Sequence, residues 1–246
     1  MFTVWGGSLT RPTRDIDLLG KTDNNPDNIT SIMKDVCQTG VEADGLLFNH
    51  ESISTNRIME DAGYEGLRVH LQGSFGKAPV KLQIDIGFGD VIVPEKVKVK
   101  YPALLDYPAP ELNGYTMEST IAEKFHAMLA FGLTNSRMKD FYDIWNLSRN
   151  FDFSGEVLSR AVKETLKKRQ YELEKTSVEF LDTFAGDEQK NSQWKSFLEK
   201  TKLDDAPDSF ANVVHAIRLF IQPIADSLAG DVKFRSIWTA PGPWGS

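Results

Sequence analysis

The spacing of apolar residues changes its period near residue 116, and the two halves predict different architectures. Upstream the period is two. Residues 14–19, "RDIDLL", read as a short strand, with Ile16 and Leu18 on one side and Asp15 and Asp17 on the other. "LRVHLQG" (67–73) and "VKLQIDIGF" (80–88) alternate and flank the turn signal "SFGKAP", which predicts a hairpin with a longer loop. "EKVKVKY" (95–101) alternates Lys96, Lys98 and Lys100 with valines, the pattern of a guarded edge strand, although such a lysine ladder could also meet phosphates. "NITSIMKDVC" (28–37) stands apart, with helical spacing at Ile29, Ile32, Met33 and Val36 behind an Asn28 cap.

Downstream the period is helical. "MESTIAEKFHAMLAFGL" (117–133) places Ile121, Phe125, Met128 and Leu129 on one stripe. "RMKDFYDIWNLSR" (137–149) does so with Met138, Phe141, Ile144 and Trp145. "GEVLSRAVKETLKKRQ" (155–170) stripes Val157, Leu158, Ala161, Val162, Thr165 and Leu166. "DSFANVVHAIRLFI" (208–221) stripes Phe210, Val213, Val214, Ile217 and Phe220, and Pro223 is expected to end or kink that helix. The closing "APGPWGS" reads as irregular. A sheet-bearing half followed by a helical half gives an α+β chain. The divisions expected are a core over 1–115, a helical region over 116–230 and an irregular tail over 231–246.

Composition narrows the classes. In 246 residues, 41% are hydrophobic and 26% charged, ordinary for a folded soluble protein. The net charge of −7 argues against a general nucleic-acid coat but leaves room for a local basic patch. The one cysteine, Cys37, excludes an internal disulfide framework and fits a reducing compartment. With no apolar run of membrane-spanning length and no signal-peptide pattern at the start, a cytoplasmic location away from membranes is expected.

The acids carry the candidate chemistry. Asp15 and Asp17 share a strand face, where two carboxylates repel unless a cation joins them, and oxygen ligands of this kind suit Mg²⁺. An EF-hand reading fails, because its fifth and twelfth places hold Leu19 and Pro26. In "KLQIDIGFGD", Leu82, Ile84, Ile86 and Phe88 share one face and Asp85 lies on the other. If that strand neighbours the Asp15 strand, three carboxylates converge, a usual means of holding metal ions on phosphate oxygens. Lys124 falls at the edge of its helix's apolar stripe and either snorkels or reaches a phosphate, while Glu123 lies on the far side. Arg137, Lys139, Asp140 and Asp143 crowd two turns, and on an isolated helix they read as a salt-bridged solvent face. His50, His70, His126 and His215 show no metal spacing, and "KKRQ" (167–170) is a small basic patch on a solvated face.

Four blocks, "RPTRDIDLLG", "LQIDIGFGD", "ESTIAEKFHAM" and "NSRMKDFYDIWNL", in this order resemble the AbiEii/AbiGii family of nucleotidyltransferase toxins from type IV toxin–antitoxin and phage abortive-infection systems. The resemblance covers roughly the first 150 residues. It implies a nucleotidyltransferase-type mixed sheet flanked by helices, an NTP substrate, Mg²⁺, and transfer of a nucleoside monophosphate to RNA, the tRNA 3′ end in relatives. It also implies neutralisation by a cognate antitoxin. Carried over by position, Asp15, Asp17 and Asp85 match metal-binding and catalytic carboxylates. Lys124, Arg137, Lys139 and Asp140 match the nucleotide-binding and catalytic groups of the later blocks, and Arg11 and Arg14 flank the acids. The chain departs from the pattern at Gly6, Gly7 and Ser8, which lie too near Asp15 to leave room for the family's helix between loop and strand. A phosphate loop is therefore expected upstream of Met1. The alternative expectation is a shortened or inactive relative that binds NTP, RNA or an antitoxin without catalysis. A phosphotransferase or metal-dependent hydrolase using the same acids is a third.

Overall fold

The computed structural model describes residues 4–5, 16–41, 43–60, 64–103, 106–174, 177–203 and 205–245. The chain divides into two compact units, residues 13–90 and residues 1–12 with 91–246. Together they hold a mixed sheet and a set of helices, and the chain is α+β.

The smaller unit is built on strands β1 (Ile16–Gly20), β2 (Leu46–Glu60), β3 (Tyr64–Phe75) and β4 (Ala78–Phe88), ordered β1-β4-β3-β2. β1 runs parallel to β4, and the other two pairings are antiparallel. The expected hairpin forms with a tighter turn than its sequence suggests. Phe75 pairs with Ala78, leaving Gly76 and Lys77 as the loop. Gly76 supplies the positive φ of 58° that a two-residue turn needs, so the ladder runs almost to the loop. β2 was not legible beforehand, because "LLFNHESISTNRIME" is polar without clean alternation, and its register shifts between Asn49 and Ser54.

Helix α1 (Pro26–Gln38) starts earlier than its apolar spacing indicates. The cap is Asn25 rather than Asn28: its side-chain oxygen accepts from Asp27 N at 2.8 Å and Asn28 N at 3.1 Å, and Pro26 takes the first position, where no amide donor is needed. Ile29 from α1 joins Leu67, Val69, Ile84 and Ile86 in a small core, with Met33 partly buried against it, whereas Ile32 and Val36 remain exposed. The β1 residues Ile16 and Leu18 pair in register with Ile84 and Ile86 but stay exposed at the sheet edge.

The larger unit carries a ribbon of β5 (Val97–Lys100) and β6 (Glu111–Gly114), then helices α2 (Met117–Phe131), α3 (Met138–Asn150), α4 (Gly155–Lys168), α5 (Phe180–Phe184), α6 (Glu188–Thr201) and α7 (Phe210–Ala229). The expected stripes are its core: Ile121, Phe125, Met128, Phe141, Ile144, Leu158, Val162, Phe210, Val213, Ile217 and Phe220 are at most 1% exposed. α2 is stopped at its start by Thr116. Its hydroxyl accepts from Ser119 N at 3.2 Å and donates to Val93 O at 2.6 Å, which ties the cap to the preceding segment. Helices α5 and α6 have no readable stripe; of α6 only Lys190 and Trp194 are buried.

Of the two outcomes expected at Pro223, an end or a kink, the end does not occur: α7 runs on to Ala229. A proline removes the amide bond to the carbonyl four residues back, here Leu219, which lies on the exposed side, while Ile221, Ile224 and Ala225 carry the buried face past it. The tail, expected to be irregular, also carries two short strands. β8 (Ile237–Trp238) pairs with both β7 (Phe153–Ser154) and β9 (Trp244–Gly245). Trp238 Nε1 donates to Ser148 O at 2.6 Å and Trp244 Nε1 to Phe220 O at 2.9 Å. Two tryptophans thus hold the tail on the helices, burying large apolar area while satisfying both indole donors.

Candidate functional site

In the smaller unit the condition for converging acids is met for two of them. β1 lies beside β4, and Asp17 pairs in register with Asp85. Register partners on adjacent strands point to the same side about 4.8 Å apart, so both carboxylates leave the sheet together. They emerge opposite the Ile84–Ile86 core face, as the alternation requires. Asp15 lies outside the described residues, as do Arg11, Arg14 and Gly6 to Ser8.

Asp85 has a second neighbour that sequence reasoning missed. Arg68, its register partner on β3, grips it with both prongs, Nε to Oδ1 at 2.7 Å and Nη2 to Oδ2 at 2.7 Å. Gln83 Nε2 lies 3.5 Å from Oδ2. The Asp85 side chain is 12% exposed and that of Arg68 37%. A bidentate guanidinium–carboxylate contact fixes the plane of the carboxylate as well as its charge. The signal was present: closing the hairpin on Gly76 and Lys77 and counting back equally along both strands pairs Arg68 with Asp85. Across the sheet the order is therefore Asp17, Asp85, Arg68.

Among the described residues there is no group of three or more His, Cys, Asp or Glu side chains placed to hold a metal ion. The Asp17–Asp85 pair still fits a hard divalent cation. It offers carboxylate oxygens on one side of a rigid sheet, and Mg²⁺ is commonly held by one or two carboxylates with waters and substrate phosphates completing its shell.

The larger unit holds a different cluster. Lys124, on α2, places Nζ 2.8 Å from Asp140 Oδ1 and 2.7 Å from Asp143 Oδ2, both on α3. Arg137, at the start of α3, donates Nε to Asp140 Oδ2 at 2.6 Å. The Asp140 and Asp143 side chains are 2% and 0% exposed and that of Lys124 14%. The solvent-face reading of "RMKDFYD" is thereby corrected, because α2 covers this side of α3. Burial would lower the Lys124 pKa, but the Asp140 and Asp143 carboxylates outweigh it and hold the ammonium at about 12. Burial would raise Asp140, but Lys124 and Arg137 outweigh it and hold the carboxyl at about 2. Lys124 and Asp140 are therefore both charged at neutral pH, so the cluster is a fixed ion network rather than an acid–base pair. Arg137 is one-third exposed and Lys139 lies on the exposed side of α3.

The entry to α3 is itself held. Asn135 Oδ1 accepts from Arg137 N at 2.8 Å, and the buried Lys190 on α6 donates Nζ to Asn135 O. Neither Lys190 nor Asn135 carried a sequence signal. Glu123 does lie away from the network; its Oε2 accepts from Arg169 Nη2 at 2.8 Å, so one cation of "KKRQ" is bound within the fold. His126 is buried against Tyr171, and burial with the nearby Arg169 lowers its pKa to about 4. No helix among the described residues is long and apolar enough to cross a membrane.

A family model described as nucleotidyl transferase AbiEii toxin, type IV TA system, matches residues 2–216. Comparison with curated protein sequences gives no match. The crystal structure of JHP933 from Helicobacter pylori is similar at 14% identity and a TM-score of 0.45, covering 94% of this chain and 81% of that one. The crystal structure of an H. pylori protein provisionally described as a nucleotidyltransferase is similar at 14% identity and a TM-score of 0.43, over 94% and 84%.

Proposed function

Because the chain belongs to the AbiEii family of nucleotidyl transferase toxins of type IV toxin–antitoxin systems, we propose that it transfers a nucleoside monophosphate from an NTP to RNA in a Mg²⁺-dependent reaction. The acceptor proposed is the 3′ end of tRNA, and a cognate antitoxin neutralises the activity. The observation that supports this most is the register of Asp17 with Asp85 on adjacent parallel strands.

In this reading the acceptor hydroxyl attacks the α-phosphorus and pyrophosphate leaves. Asp17 and Asp85, with Asp15, would hold the cation, which would supply charge neutralisation on the triphosphate. Asp85 would help activate the attacking hydroxyl, either as the base that takes its proton or as a ligand of a second cation. Arg137 and Lys139, which match the family's nucleotide-binding groups by position, are proposed to contact phosphate. Asp140 and Lys124 hold the start of α3 so that the Arg137 guanidinium keeps one orientation.

The test is transfer of label from each of the four α-labelled NTPs to bulk tRNA in the presence of Mg²⁺. Wild-type protein is expected to label RNA with at least one NTP, and Asp17→Asn to lose at least about a hundredfold of that rate, as expected when a group stabilising transition-state charge is removed. Folded wild-type protein that labels no RNA with any NTP would sink the proposal.

A further inference from the structure

We propose that Arg68 is a built-in counter-cation that sets how tightly the Asp17–Asp85 pair binds a divalent ion. This rests on the reading of those two aspartates as metal carboxylates. Two acids emerging side by side from one sheet face repel each other, and Asp85 is largely withdrawn from solvent. Arg68 answers that repulsion within the fold. It comes from the strand on the far side of Asp85 and makes two 2.7 Å hydrogen bonds, one to each carboxylate oxygen.

The placement has two consequences of opposite sign. Each carboxylate oxygen has a second lone-pair direction, so the guanidinium can hold Asp85 without closing it to a metal ion on the Asp17 side. The fork therefore keeps the carboxylate oriented. Its charge, however, opposes the arrival of another cation at the same carboxylate. Arg68 is more than a third exposed, so a water-like dielectric applies, and a unit charge about 6 Å from a divalent ion then weakens binding about tenfold. Orientation is worth less than this, because Asp85 is centred on an inner strand whose backbone is paired on both sides. The net effect is a site of deliberately modest affinity, stable when empty and filled when the ion arrives with a polyanionic substrate that outweighs the guanidinium.

The experiment is Mn²⁺ binding to the full chain without nucleotide, read from the loss of the free-ion signal in electron paramagnetic resonance. Arg68→Gln removes the charge and Arg68→Lys keeps it without the fork; circular dichroism and the urea midpoint show that each variant is folded. Arg68→Gln is expected to bind Mn²⁺ about tenfold more tightly than wild type and Arg68→Lys within about threefold of it. Equal or weaker binding by folded Arg68→Gln would overturn the role of Arg68 while leaving the metal reading intact. Should neither wild type nor Arg68→Gln bind Mn²⁺, or should Asp17→Asn bind it as wild type does, the metal reading falls and this inference with it.

Discussion

Replacing Lys124 by methionine separates a buried ion network from a surface one. The substitution keeps most of the side-chain volume and removes the ammonium that lies 2.8 Å from Asp140 and 2.7 Å from Asp143. Asp140 retains Arg137 at 2.6 Å. Asp143, with a side chain 0% exposed, loses the Lys124 charge and stays desolvated. Breaking a buried pair in this way costs about 3–5 kcal/mol, against about 0.2–1 kcal/mol for an exposed pair. On a fold stable by about 5–15 kcal/mol that is a large share. Asp143→Asn in the Lys124→Met background removes a buried negative charge that has lost the Lys124 ammonium, so the double variant should recover about 2 kcal/mol. Urea unfolding followed by tryptophan fluorescence suits the question, because all five tryptophans, Trp5, Trp145, Trp194, Trp238 and Trp244, belong to the larger unit. The network's contribution has two pH limits. Asp140, depressed to about 2, stabilises above about pH 4, and this is lost as pH falls through 2. Lys124, raised to about 12, stabilises below about pH 10.5, and this is lost as pH rises through 12. A loss below about 1 kcal/mol in Lys124→Met, or no recovery in the double variant, would refute the buried-network argument.

His126 and the tail offer two further checks. With its pKa lowered to about 4, His126 is protonated more readily in the unfolded chain, so stability should fall as pH drops from about 6.5 to 4, by up to about 1.4 kcal/mol per pH unit. His126→Leu should flatten that part of the urea-midpoint profile, and an unchanged slope would show that another group is responsible. Gly242 has φ of 105°, and a Cβ there would press into the Trp238 ring. Gly242→Ala should therefore cost about 2–4 kcal/mol and disturb the near-ultraviolet tryptophan signal, whereas a loss below about 0.5 kcal/mol would contradict the tight seating of that ring.

Much of the helical half was legible because its physics is local. A stripe such as Ile121, Phe125, Met128 and Leu129 states both the element and its buried face, and all four residues lie in the core. The same holds for the alternation that put Asp85 opposite Ile84 and Ile86. By itself the sequence determined which residues share a face, where the period changes, and that the acids and cations fall into four ordered blocks. It could not decide what lies across from each face. The solvent reading of Asp140 and Asp143 failed because coverage by α2 depends on contacts between residues far apart in the chain. The run of α7 past Pro223 and the short strands of the tail have a related cause: burial of Ile221, Ile224, Ala225 and Trp238, with Trp244 packed against the same core, outweighs local propensity that is unfavourable or silent. The neighbourhood of Asp85 is the sharpest case. Its face was fixed by alternation, but the partners on that face are set by strand order and register. Only the tertiary structure put Asp17 on one flank, because β1 and β4 bring together side chains whose separation in sequence carries no periodic signal, and it set Arg68 on the other by closing the hairpin more tightly than its turn residues indicate.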